Sequence, residues 1–148
     1  MARIYSGQIK KWSEVGGRDI KIRVVRREDG DSTLQVLRRS MPGWAVLEFT
    51  ARSKMAVTTQ DAVSTVRSVE GAIGFAPQSE ALSDDTVVLA IDGQAPGDPG
   101  YPSAVELALV YKESNSDAEI KQFLDFSFSN MARQILITHG AIPVPRPG

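Results

Sequence analysis

Residues 27–33, Arg-Glu-Asp-Gly-Asp-Ser-Thr, gather the side chains of this chain best suited to holding a small anion. Arg27 offers a planar fork of donors that matches an oxyanion. Asp29 and Asp31 bring carboxylates, Gly30 lets the backbone turn, and Ser32 and Thr33 bring hydroxyls. Catalysis is not expected from this set. Ser32, Thr33 and His139 are the only nucleophile and base candidates, and His139 sits just before Gly140, which reads as a helix end. A histidine there more often answers the helix dipole.

Two elements must position the stretch. Ile22-Arg23-Val24-Val25 is a β-branched run that reads as a strand. Leu34-Gln35-Val36-Leu37-Arg38-Arg39 is rich in helix formers, with apolar positions at Leu34 and Leu37. A strand that turns into a helix leaves the first helical N–H groups unpaired, at the positive end of the helix dipole. That combination receives small anions readily. The competing reading makes Asp31 or Ser32 the N-cap, whose own oxygen takes those donors.

Composition narrows the field. The chain has 148 residues, enough for one domain, or one lobe and an extension, with a real core. Hydrophobic content of 42% and charged content of 24% suit a soluble globular protein. No apolar run approaches the ~20 residues that span a bilayer. Arg3 and Lys10 fall where the apolar part of a signal peptide would sit, so the chain reads as cytoplasmic or as a trimmed piece of an exported protein. With no cysteine and one histidine, thiolate and multi-histidine metal centres are excluded, and no cofactor is expected. Residues 1–40 hold ten Lys/Arg against five Asp/Glu, leaving seven against thirteen beyond them. The field around the candidate site therefore favours an anionic ligand. Nucleic acid is not expected, because no basic block is interleaved with aromatics.

Along the chain, 3–12 reads as a short helix or turn leading to Trp12, with Ile4, Tyr5, Ile9 and Trp12 as packing residues. Met41-Pro42-Gly43-Trp44 stops the central helix, and Trp44 is expected to plug a core edge. Thr58-Thr59-Gln60-Asp61 opens a helix striped by Ala62, Val63, Val66 and Val69, with Gly71 as its C-terminal cap. Strands are expected at 72–76, 86–91 and 104–111, with a Pro/Gly-rich linker or hinge at 93–102. Ser116-Asp117-Ala118-Glu119 reads as a second capping box, and Ser129 or Asn130 starts a last helix ending at Gly140. The alternation predicts an α/β fold, a largely parallel sheet flanked by helices. Ligands in such sheets lie beyond the carboxyl ends of the strands, which is where 27–33 falls.

Four stretches in order resemble the solute-binding proteins of phosphate-type ABC importers, which have the type II periplasmic binding protein fold. Residues 4–12 are similar to the family's Phe-x-Gly-x-Ile-x-x-Trp segment, and 27–33 to its Arg-x-Asp-Gly-Ser-Gly-Thr anion loop. Glu70-Gly71-Ala72-Ile73-Gly74-Phe75 resembles Pro-Gly-Ala-Ile-Gly-Tyr, and Phe123 to Pro145 resembles the closing helix pair and its Gly-x-x-Pro ending. The resemblance implies an oxyanion, phosphate first, enclosed between two hinged lobes and handed to an importer permease. It implies a periplasmic or extracytoplasmic place, with cytoplasmic as the alternative. Carried over, Arg27 is the charge donor, Asp29 its orienting partner, Gly30 the close turn, and Thr33 a hydroxyl and amide donor.

Asp31 and Ser32 depart from the pattern, standing where the family has Ser and Gly. An ionised Asp31 aimed at the anion costs on the order of 1–4 kcal/mol at effective dielectrics of 80 to 20. It turns away as a cap, accepts a proton from a protonated ligand, or signals a different ligand. By resemblance, 1–103 is the anion-binding lobe, and 104–148 a crossover strand and helices returning to an opposing lobe. Much of that opposing lobe has no counterpart here, so a truncated domain is expected, with a homodimer through 104–148. The alternative function is a ligand-free sensor or protein-interaction module on the same fold.

Overall fold

The computed structural model describes residues 1–148 except 82–84, 116 and 147–148. It divides into two compact units, Met1–Val105 and Glu106–Gly148. The first unit is built on a parallel three-stranded sheet of β1 (Arg23–Arg27), β2 (Lys54–Ala56) and β3 (Ala72–Ile73), in the order β2-β1-β3. Register pairs Val25 with Lys54 and Arg27 with Ala56 on one side of β1, and Val24 with Ile73 on the other. The helices of this unit are α1 (Ala2–Tyr5), α2 (Ser32–Ser40), α3 (Thr59–Ser68) and the short α4 (Gln78–Ala81).

β1 is the central strand because its adjacent valines serve two faces. Successive side chains of a strand point to opposite sides. Val24 joins Ile4, Tyr5, Leu34, Leu37, Met41, Trp44 and Ile73 in the larger core, which holds α2 against the sheet. Val25 joins Ala56 and Ala62 in a smaller one, under α3. Trp44 is 1% exposed, a core residue rather than an edge plug, with its ring 4.8 Å from that of Tyr5. Burying aromatics of this size dominates core energetics. Ile9 and Trp12 pack partly buried against this core, in agreement with the packing role expected for them.

Both long helices of the unit start at the expected caps. Asp31 accepts from the Leu34 amide, and Thr58 from the Asp61 amide. Gly71 differs from its expected role. α3 ends at Ser68 with Val69 as its C-cap, and Gly71 lies beyond it with φ of 75°, where an added Cβ would collide with the Lys21 carbonyl oxygen. Its own carbonyl receives the Trp12 indole N–H and the Arg23 amide, each at 3.0 Å. The glycine therefore ties the 3-10 turn Trp12–Val15 to the start of β1.

The strand expected at 72–76 is confined to Ala72–Ile73, and β2 went unrecognised in the sequence. Residues 86–91 and 104–111 are not strands: among the described residues neither pairs into a ladder, and Ile91 makes only an isolated bridge to Gln94. β-Branched composition makes a segment fit for a sheet, but a ladder also needs an edge to join. Residues 93–102 form successive turns, with positive φ at Gly93, Gly97 and Gly100.

The second unit holds α5 (Ala118–Ser127) and α6 (Asn130–Thr138). Asp117 caps α5 through the Ile120 amide, one residue later than the expected box, whose Ser116 lies outside the described residues. Ser129 caps α6 through Ala132, and His139 is the C-cap, followed by Gly140 at φ of 77°. Arg146 binds Asp125 at 2.6 Å and lies over the Phe128 ring. Among the described residues, no helix is long and apolar enough to cross a membrane.

Candidate functional site

Arg27 is the last residue of β1, and α2 starts five residues later. Its Nε donates to Asp31 Oδ2 at 3.0 Å, and its Nη1 donates to the Ala56 carbonyl at 2.9 Å. The pair is almost withdrawn from water, with side-chain exposures of 10% and 9%. Two anchors, one on β2 and one on the cap of α2, hold the guanidinium in one orientation. Among the described residues, Nη2 has no protein partner.

Asp31 has a double role. Its Oδ1 accepts the Leu34 amide at 2.9 Å while Oδ2 receives Arg27. The competing cap reading is therefore correct for one donor. Two remain: the Ser32 and Thr33 amides meet no protein acceptor among the described residues, and neither does the Thr33 hydroxyl. Thr33 is buried and Ser32 exposed. Of the three resolutions open for Asp31, the structure takes the cap, and adds an ion pair to it.

Asp29 does not orient Arg27. Its carboxylate accepts from Arg38 Nη2 at 2.8 Å, and its carbonyl from Gln35 Nε2 at 2.6 Å. The orienting role assigned to Asp29 belongs to Asp31, because the turn carries Asp29 toward the exposed side of α2. Gly30 is likewise not required by backbone strain. Its φ is not positive, and an added Cβ would meet nothing within 4 Å. So the turn brings Arg27, Asp31, Ser32 and Thr33 to one junction and leaves Asp29 and Gly30 at its rim.

Two contributors escaped the sequence reading. Ala56 acts through its carbonyl, and a backbone group leaves no residue-type signal. Arg38, on α2, answers Asp29 nine positions away, a spacing with no periodic signature. An open depression lined by Arg3, Ser6, Gly43, Leu47 and Glu48 contains none of the junction residues. Among the described residues, no cluster of three or more acidic or histidine side chains could hold a metal ion.

A parallel sheet whose central strand delivers a braced arginine to a helix N-terminus is the layout of a ligand-binding α/β lobe. Residues 1–131 match the PBP superfamily domain, and the chain belongs to that family. It is 29% identical over 154 residues to the phosphate-binding protein PstS of Bacillus subtilis strain 168, covering 97% of this chain and 49% of that protein. A Clostridium perfringens protein, assigned as a phosphate ABC transporter substrate-binding protein and solved with bound phosphate, superposes with a TM-score of 0.82. Identity there is 31%, over 97% of this chain and 60% of the other. An ABC-type phosphate transport receptor from Vibrio cholerae shares the fold, with a TM-score of 0.57 and 21% identity over 96% of this chain and 61% of that one. The chain thus spans about half the length of the curated relative it matches.

Proposed function

We propose that this chain binds a small tetrahedral oxyanion, phosphate, as part of a solute-binding protein of an ABC importer. The observation that carries the reading is the buried Arg27, anchored at Nε and Nη1, beside the two uncommitted amides of Ser32 and Thr33. A guanidinium and helix-terminal amides are the donors that an oxyanion needs. In this reading Arg27 supplies charge, Thr33 a hydroxyl and an amide, and Ser32 an amide. Asp29, Gly30 and Asp31 shape the turn. The names of the Bacillus subtilis and Clostridium perfringens relatives support phosphate over other oxyanions. They also support binding rather than catalysis, and an extracytoplasmic place beside a permease.

Residues 1–103 act as the anion-binding lobe and 104–148 as the returning segment. That segment exposes Leu107, Val110, Phe123, Met131 and Ile135. We take a second copy of the chain to cover this surface in isolation. Light scattering should then report a dimer, and a monomer at every concentration counts against it. Calorimetry tests the binding itself. Phosphate should give a saturable heat that Arg27→Ala abolishes. No heat from the unaltered chain would favour the ligand-free sensor instead.

A further inference from the structure

We propose that the outer edge of β3 accepts residues 104–111 of a second copy of the chain as an added strand, each copy lending its segment to the other. This deepens the second-copy reading above by naming the two surfaces that meet. The acceptor is uncharged. Ala72-Ile73-Gly74-Phe75-Ala76 runs to Pro77 without an ionisable side chain, and β3 lies at one side of the sheet in the order β2-β1-β3. Arg23 donates to the Gly71 carbonyl, and Val24 is paired with Ile73. Alternate residues of a strand turn their backbone groups to opposite edges. The Ala72 carbonyl and the Gly74 amide therefore face away from β1, and neither meets a backbone partner among the described residues. The other edge of the sheet is guarded. β2 is three residues long and carries Lys54, the kind of charge that keeps edges from pairing.

The donor has the complementary defect. Residues 104–111 carry no helix or ladder and are exposed throughout, and none of their backbone groups bonds another described backbone group. As a strand the segment would place Val105, Leu107, Leu109 and Tyr111 on one face, and Ala104, Glu106, Ala108 and Val110 on the other. Residues 86–91 are a poorer donor, because Ile91 is already held in its bridge to Gln94 and packs against the larger core. A chain with both a spare strand and an open edge is complementary to itself. Reciprocal exchange about a two-fold axis closes at two copies, and main-chain hydrogen bonds supply the affinity.

Amide hydrogen exchange on the isotopically labelled full chain, with light scattering at the same concentrations, reads the pairing residue by residue. Light scattering should show a dimer at high concentration. There the Gly74 amide and every second amide of 104–111 should exchange about tenfold more slowly than in the dilute monomer. Proline removes an N–H that a ladder needs. Ala108→Pro and Leu109→Pro cover two adjacent positions, one of which turns its amide to β3, and at least one should shift the chain to monomer. Neither lies in a helix or ladder of the chain, so urea unfolding of the monomer should be unchanged. A dimer whose Gly74 and 104–111 amides stay unprotected, or one undiminished in both proline variants, overturns strand addition and leaves the second-copy reading intact. A monomer at every concentration overturns both. Phosphate binding at Arg27 is measured separately and is untouched by either outcome.

Discussion

Arg27 and Asp31 stand four residues apart and share a 3.0 Å ion pair in which the aspartate simultaneously caps α2. One carboxylate therefore fixes both the start of the helix and the direction of the arginine. Strand, turn and helix are joined by side chains as well as by backbone, and the Ala56 carbonyl adds β2 to the same arginine. The junction is a rigid platform because each of its three elements is tied to Arg27.

Removing one member of a buried pair leaves the other uncompensated, at a typical cost of about 3–5 kcal/mol. Arg27→Met is expected to fall in that range by urea unfolding. The double variant Arg27→Met/Asp31→Asn should lose less than the sum of the singles, with a coupling on the order of 1–3 kcal/mol. Simple additivity would mean that the two side chains do not depend on each other.

Two glycines of similar appearance in the sequence should respond oppositely to alanine. Gly71 has positive φ, no room for a Cβ, and a carbonyl that anchors Trp12 and Arg23. Gly71→Ala should cost on the order of 2 kcal/mol or more. Gly30→Ala should be neutral or slightly stabilising, by up to about 1 kcal/mol, because its conformation suits other residues. Thermal unfolding of the two variants side by side checks the contrast, and equal effects would contradict it.

The same contrast marks how far the sequence could be read. The strand before 27–33, the helix after it and the caps at Thr58 and Ser129 were legible, because capping and β-branching are local chemistry. Asp29 and Asp31 were not separable in role. They are two residues apart and equally acidic, and only the path of the turn decides which one meets Arg27. β2 was hidden because Lys-Met-Ala lacks a β-branched residue, and its place comes from pairing with β1. Residues 86–91 and 104–111 carried the opposite error: strand-like composition with no ladder among the described residues.

Burial raises the Tyr5 phenol above its ordinary value of 10.0. The neutral form is then favoured in the folded chain, while the unfolded chain ionises near pH about 10. Below that pH the contribution of Tyr5 to stability is fully present. Above it the unfolded state binds fewer protons, and stability falls as pH rises toward the folded value. Urea midpoints measured from pH about 9 to about 11.5 should fall more steeply for the unaltered chain than for Tyr5→Phe. Parallel curves would show that Tyr5 is not the group responsible.

The most direct measurement is a phosphate titration followed by the backbone amide resonances of the isotopically labelled chain. The Ser32 and Thr33 amides should move with a single saturable constant. The Leu34 amide, already donating to Asp31 at 2.9 Å, should move far less. Ser32 and Thr33 signals that stay fixed at high phosphate, while resonances elsewhere shift or none shifts at all, would contradict oxyanion binding at this junction.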